Sequence, residues 1–138
     1  MLDTTSWSAA EWSLVHWLSE LEDSQFITLS IPGPPPIKSG FFRRKIIVST
    51  PFVQALRMDD LLYIECVGST SFGGQYAWNP ADEDALKRLG WEPETVRHQV
   101  FVRYFPRDQA RAAARLLVTT LRDIARLADP ATLDVNAG

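Results

Sequence analysis

The chain contains few residues whose types and spacing favour catalysis or metal binding. Its two histidines, His16 and His98, lie on different predicted elements, and neither has a cysteine or histidine partner at metal-ligand spacing. Cys66, the one cysteine, alternates with apolar residues along a predicted strand, which indicates a buried and inert thiol. These residues therefore predict no catalytic group, no metal and no cofactor.

One group of polar residues supports an alternative hypothesis, which is that the protein is a small-ligand-binding domain or a small enzyme. Glu65 and Arg103 lie on strands that can be neighbours, and His98 lies close to Arg103 in the chain. Converging polar groups of this kind are typical of ligand pockets and active sites. An ordinary cross-strand ion pair between Glu65 and Arg103 explains the same pattern.

Composition and charge indicate a soluble protein with one domain, 1–138, whose ordered core is predicted over about 7–128. A net charge of −3 gives no general attraction to nucleic acid or to an anionic membrane. No apolar run reaches the roughly 18 residues of a membrane span, and the first residues lack a signal-peptide pattern. We therefore predict a cytoplasmic protein without nucleic-acid binding.

The first helix is predicted from a capping box formed by Ser8 and Glu11. If Ser8 is the N-cap, Trp7 precedes the helix and can pack against Trp12 as a hydrophobic staple. Trp12 and His16 also lie one turn apart, on the side opposite the apolar stripe. An exposed contact patch of Trp12 and His16 is therefore the other interpretation, and the two are compatible.

Alternating apolar residues predict strands at 25–31, 46–48, 52–56, 61–68 and 97–105, with a proline-rich loop over 32–40. Asn79 and Pro80 suit the start of a short helix, and Gly90 suits its left-handed end. A last helix is predicted over 108–128, followed by a frayed tail. The α-β-β-β-α-β-α order predicts an α+β fold, with an antiparallel sheet of about five strands and helices on one face.

Alternation also predicts which side chains face away from the helices. If Cys66 faces the helices, Tyr63 and Val67 on the same strand face outward. Phe101 and Phe105 are expected to do the same on the last strand. An aromatic outer face without a helix layer needs a cover, which self-association or a partner protein supplies.

The last predicted helix carries a row of four arginines. They are Arg111, Arg115, Arg122 and Arg126, at spacings of four, seven and four. These spacings place them on one outer face. A solvated helix face is the ordinary explanation, and a docking stripe for an acidic partner is the functional one.

Four segments carry a family resemblance. They are Phe52–Gln54, Leu61–Cys66, the Leu-Lys-Arg-Leu-Gly-Trp run of 86–91, and Leu121–Ile124. Together they resemble the YbjN-like proteins of the kind common in actinobacteria, also called TY-Chap domains after type III secretion chaperone-like and YbjN. The resemblance implies a secretion-chaperone-like fold that binds proteins, often dimerises and has no established catalytic residues.

The leading prediction is a non-catalytic protein-binding domain, chaperone- or adaptor-like, that acts as a homodimer and binds a protein partner or client. Five tryptophans support it, because large aromatic side chains dominate interfaces as well as cores. The predicted contact residues are Trp12, His16, Tyr63, Val67, Phe101, Arg111, Arg115, Arg122 and Arg126.

Overall fold

A computed structural model describes residues 1–32, 37–39, 44–46, 51–68, 78–94 and 100–138. His98 and most of the 32–40 loop lie outside these ranges. The helices are α1 (Trp7–Glu20), α2 (Pro80–Leu89) and α3 (Ala110–Thr119). The strands are β1 (Phe26–Ser30), β2 (Ile37–Ser39), β3 (Arg44–Ile46), β4 (Phe52–Met58), β5 (Leu61–Val67), β6 (Glu92–Pro93), β7 (Val100–Pro106) and β8 (Asp134–Ala137).

Six of the strands form one antiparallel sheet in the order β6-β7-β5-β4-β1-β8, and β2 pairs with β3 in a separate hairpin. The α3 helix packs against β5 and β7, and α1 packs against α3. This arrangement confirms the predicted α+β class with an antiparallel sheet. Four of the five predicted strands lie in this sheet, as β1, β4, β5 and β7, and β6 and β8 bring it to six. The strand predicted at 46–48 is not part of it, since Ile46 belongs to the separate β2–β3 hairpin.

The core lies between the sheet and the helices, and the strands contribute to it with every second residue. Ile27 and Leu29 on β1 are buried, as are Leu62, Ile64 and Cys66 on β5. Buried stripes of α1 and α3 belong to the same apolar cluster. The two-residue period of a strand thus gives the sheet one helix-facing side and one outer side.

The first helix begins two residues earlier than the capping box predicts. Ser6 is the N-cap, and its hydroxyl accepts a hydrogen bond from the Ala9 N–H at 3.0 Å. Trp7 is therefore the first residue inside the helix. The predicted staple between Trp7 and Trp12 is wrong, since a staple needs its first residue to precede the N-cap.

The last helix is shorter than the predicted 108–128 segment. A 3-10 turn, Arg107–Gln109, leads into α3, and a π-helical turn, Thr120–Ile124, continues it beyond Thr119. Arg126 then adopts a left-handed conformation, with φ of 58°. This backbone reversal ends the helical path before the chain turns toward the sheet.

The segment after Ala128 is ordered, so the predicted frayed tail is wrong. A 3-10 turn, Pro130–Thr132, precedes β8, which pairs antiparallel with β1. Leu133 is buried, and the backbones of Phe26 and Gly138 exchange two hydrogen bonds of 3.1 Å. The β8 strand is short and mostly polar, so its sequence shows little of the apolar alternation that predicts a strand. It is a strand because it pairs with β1, which is distant in the chain.

Trp91 joins the end of α2 to the end of the last helix. Gly90 has a φ of 107°, and the N–H groups of Gly90 and Trp91 donate to the carbonyls of Lys87 and Leu86, which confirms the predicted Schellman-type end. The fully buried Trp91 indole donates to the Thr120 hydroxyl at 2.9 Å, and this hydroxyl donates to the Leu116 carbonyl at 2.7 Å.

We expect Thr120→Val to lower the free energy of unfolding by about 1–3 kcal/mol, because it leaves the buried Trp91 N–H without its acceptor. Urea denaturation followed by tryptophan fluorescence measures the change. Thr119→Val, a half-buried neighbour with the same change in chemistry, is the control and should cost clearly less. Equal losses for the two variants would contradict the role assigned to this hydrogen bond.

Candidate functional site

The pairing register determines which side chains share the outer side of the sheet. Tyr63 on β5 lies directly between Leu56 on β4 and Tyr104 on β7. In the same way Glu65 lies between Gln54 and Val102. Directly opposed residues of antiparallel strands project to the same side of the sheet. The residues that alternate with Tyr63 and Glu65 on β5 are buried in the core, so these two rows lie on the outer side of the sheet.

An aromatic patch lies at the end of the outer side where β4 turns into β5. The rings of Tyr63 and Tyr104 are 5.1 Å apart and tilted by 53°. Tyr104 is 53% exposed, and Met58 and Leu61, which lie opposite each other on β4 and β5, are 46% and 41% exposed. We call these four residues, Met58, Leu61, Tyr63 and Tyr104, the aromatic patch. Large apolar side chains exposed together are typical of a contact surface.

A row of hydrogen-bonded polar side chains crosses the sheet next to the aromatic patch. The Thr28 hydroxyl donates to Gln54 Oε1 at 2.7 Å, and Gln54 Nε2 donates to Glu65 Oε1 at 3.3 Å. The Tyr63 hydroxyl donates to Glu65 Oε2 at 3.1 Å. The row links three neighbouring strands and orients the Tyr63 ring at the edge of the patch.

The Tyr63 phenol loses its proton at a higher pH than an ordinary tyrosine does. Partial burial disfavours the phenolate, and the nearby Glu65 carboxylate adds to this effect, so that together they raise the pKa of Tyr63 to about 12. At neutral pH Tyr63 is therefore a neutral hydrogen-bond donor. It donates a hydrogen bond to Glu65, and its ring carries no charge.

The expected outward orientation of Phe101 and Phe105 is wrong. Phe101 lies opposite Cys66 and Phe105 lies opposite Leu62, so both project toward the helices, and both are buried. Alternation within β7 shows that Phe101 and Phe105 share a side, but the register with β5 decides which side it is. Tyr104, which alternates with them, takes the outer position.

Val67 lies on the outer side, as predicted, but it is only 9% exposed. The predicted pair of Trp12 and His16 is exposed on α1, with the two rings in an edge arrangement 4.9 Å apart. The binding roles of Val67, Trp12 and His16 stay predictions.

The polar residues of the second hypothesis do not converge. Arg103 lies opposite Ile64 and projects toward the helices, whereas Glu65 lies on the outer side. The cross-strand pair between Glu65 and Arg103 is therefore wrong, and His98 lies outside the described residues. Burial, with a smaller effect of Glu65, raises the pKa of the Cys66 thiol far above neutral, which keeps it protonated.

The predicted arginine stripe divides into separate parts. Arg115 and Arg122 line a cleft beside α3, together with Arg103, whereas Arg126 lies 3.5 Å from Asp82 of α2. Arg111 is exposed and does not line the cleft. The π-helical turn and the left-handed Arg126 change the direction of the chain after Thr119, so spacings that suit one face of a continuous α-helix do not give one straight row.

An antiparallel sheet with helices on one side, and with Tyr104 exposed next to the half-buried Tyr63 on the other, makes this an α+β protein whose architecture is compatible with a chaperone-like fold. The chain belongs to the TY-Chap3 family, described as T3SS (YopN, CesT) and YbjN peptide-binding chaperone 3, whose model matches residues 3–138. The family resemblance of the sequence is thereby confirmed over nearly the whole chain. Comparisons with curated proteins and with solved structures gave no significant match.

Two further properties hold for the part of the chain that the structure describes. Its helices lack the length and the apolar character that crossing a bilayer requires. Its histidine, cysteine and carboxylate side chains do not form a cluster of three or more suited to a metal ion.

We expect Glu65→Gln to lower the pKa of Tyr63, because the variant removes the negative charge that opposes the phenolate. A pH titration of ¹³C-labelled tyrosine by NMR, with Tyr63 assigned through Tyr63→Phe, measures this pKa. Glu92→Gln removes one charge from the same side of the sheet, opposite Val102, and should leave the pKa of Tyr63 unchanged. An unchanged pKa in Glu65→Gln would show that the carboxylate has no influence on the phenol.

Proposed function

We propose that this protein is a non-catalytic peptide-binding chaperone whose clients bind to the outer side of its sheet at the aromatic patch. The observation that carries the proposal is the exposure of Tyr104, Leu61 and Met58 on three neighbouring strands, on the side of the sheet that none of the described helices covers. The family's description as a peptide-binding chaperone supports it. The client is a protein segment with apolar or aromatic side chains, since such side chains match the chemistry of the patch.

The arrangement of the patch suits peptide binding in two ways. Tyrosine rings offer a large contact area and lose little conformational freedom on binding, because they have few rotatable bonds. The neighbouring polar row, from Thr28 to Glu65, offers amide and carboxylate groups that can hydrogen-bond to a peptide backbone. A client can therefore gain apolar burial and orientation at the same surface.

The non-catalytic part of the proposal rests on the positions of the polar residues that favoured an enzyme. Glu65 and Arg103 project to opposite sides of the sheet, and the Cys66 thiol is fully buried and protonated. A thiol without access to substrate cannot act as a nucleophile.

We also propose that the free protein is a homodimer in which two copies cover their aromatic patches against each other. An exposed apolar surface is costly in water, and a second copy removes it without a change of fold. A client and the second copy then compete for the patch. Client binding and dimer dissociation are therefore coupled in this proposal.

We expect Tyr104→Ser to weaken client binding about tenfold, because loss of one central aromatic contact costs ~1.4 kcal/mol or more. Selection from a random peptide display library on the wild-type protein supplies the test peptide, and fluorescence anisotropy measures its affinity. Trp12→Ser tests the alternative contact predicted on the helix layer. If the client binds to the aromatic patch as proposed, this variant should change the affinity less than about twofold.

Two results would contradict the proposed site. If Trp12→Ser abolishes binding and Tyr104→Ser does not, the clients bind to the helix layer. If the library yields no peptide whose binding saturates, the peptide-binding function itself is wrong. Thermal unfolding by circular dichroism shows whether each variant has kept its fold.

We expect the wild-type protein to change from monomer to dimer as its concentration rises, and Tyr104→Ser to need a higher concentration. Size-exclusion chromatography with light scattering over a concentration series measures both. The selected peptide should convert the wild-type dimer to a monomer–peptide complex. A wild-type monomer at every concentration would overturn the dimer and leave the peptide-binding proposal standing.

A further inference from the structure

We propose a second binding site on the helix side of the sheet, a cationic cleft that takes an acidic peptide segment. The cleft lies between the start of α1, the end of α2, α3 and β7, and its volume is about 670 Å³. We call it the arginine cleft and define it by Trp7, Glu11, Leu89, Arg103, Arg115 and Arg122. It is distinct from the aromatic patch, which faces the opposite side.

Two contacts hold Arg103 in place in the lining of the cleft. Its Nη1 donates to the Gly90 carbonyl at 2.9 Å, and its guanidinium carbon lies 5.0 Å from the centre of the Phe105 ring. Stacking on the ring and the backbone hydrogen bond restrict the side chain. An arginine that is already oriented loses less conformational freedom when it binds a carboxylate.

The other two arginines provide charge at the wall of the cleft. Arg115 is exposed, and it has no ion pair or hydrogen bond among the residues that the structure describes. Arg122 bonds to its neighbour Asp123 through two contacts of 2.8 and 3.0 Å and remains partly exposed. Three arginines thus line the cleft, and Glu11 is the carboxylate in its lining. Asp123, which is outside the lining, balances the charge of Arg122, so Arg103 and Arg115 supply the excess positive charge in a chain whose net charge is −3.

The chemistry of the cleft matches an acidic peptide. Guanidinium groups bind carboxylates through paired, charge-assisted hydrogen bonds. Trp7, Leu89 and Phe105 add apolar surface beside the arginines, which suits a segment that alternates acidic and apolar side chains. The volume lies within the range of pockets that enclose a small ligand or a few side chains. Nucleic acid fits less well, because the negative charge of the whole chain repels it.

The test uses the full chain and a fluorescein-labelled octapeptide of alternating glutamate and leucine, with fluorescence anisotropy as the measurement. We expect saturable binding that Arg115→Glu weakens about tenfold. Arg111→Glu makes the same charge change on the same helix outside the cleft and should weaken binding less than about twofold. The matched octapeptide with lysine in place of glutamate should not bind.

Four outcomes would overturn this proposal. Equal losses in Arg115→Glu and Arg111→Glu would show attraction to general charge rather than to the cleft. A loss in Tyr104→Ser would place the octapeptide on the aromatic patch. Tighter binding of a single-stranded oligonucleotide would identify nucleic acid as the ligand. Absence of saturable binding by the wild-type protein, with its fold confirmed by circular dichroism, would exclude the acidic peptide.

Discussion

The hydrogen bond between the buried Trp91 indole and the Thr120 hydroxyl is the contact on which the rest of the structure depends. Gly90 turns the chain through a left-handed conformation, with φ of 107°, and this turn directs Trp91 into the core. A side chain at Gly90 would collide with the Arg103 guanidinium. The same turn therefore ends α2, anchors the π-helical turn after α3 and holds Arg103 through the Gly90 carbonyl.

The packing of the helices against the sheet gives the sheet two different sides. All helices that the structure describes contribute to one apolar cluster, so the helix-facing residues of the sheet are covered. The outer side carries the polar row and the aromatic patch, in which Tyr63 and Tyr104 lie in contact across two strands. A family described as peptide-binding chaperones needs an accessible surface on a stable scaffold, and the separation of core from outer side supplies both.

Features that depend on neighbouring residues were predictable from the sequence. Asn79, Pro80 and Gly90 mark the start and end of α2. The outer position of Tyr63 also follows from alternation within β5, because the opposite face of that strand, Leu62, Ile64 and Cys66, is apolar throughout. Longer-range features were not predictable: the phase of Phe101 depends on the register with β5, and β8 depends on pairing with β1. The start of α1 was misplaced because Ser6 and Ser8 are both suitable caps.

The sequence by itself determined the α+β class, the family, the ends of the short helix and the alternation within each strand. These properties arise from local backbone preferences and from the period of apolar residues, which neighbouring positions specify. Only the tertiary structure decided that Tyr104 rather than Phe101 joins Tyr63, and that Arg103 joins Arg115 and Arg122 in one cleft. The reason is that strand register and helix packing bring together residues that are distant in the chain. In addition, the alternation of one strand is the same whichever of its two faces lies against the core.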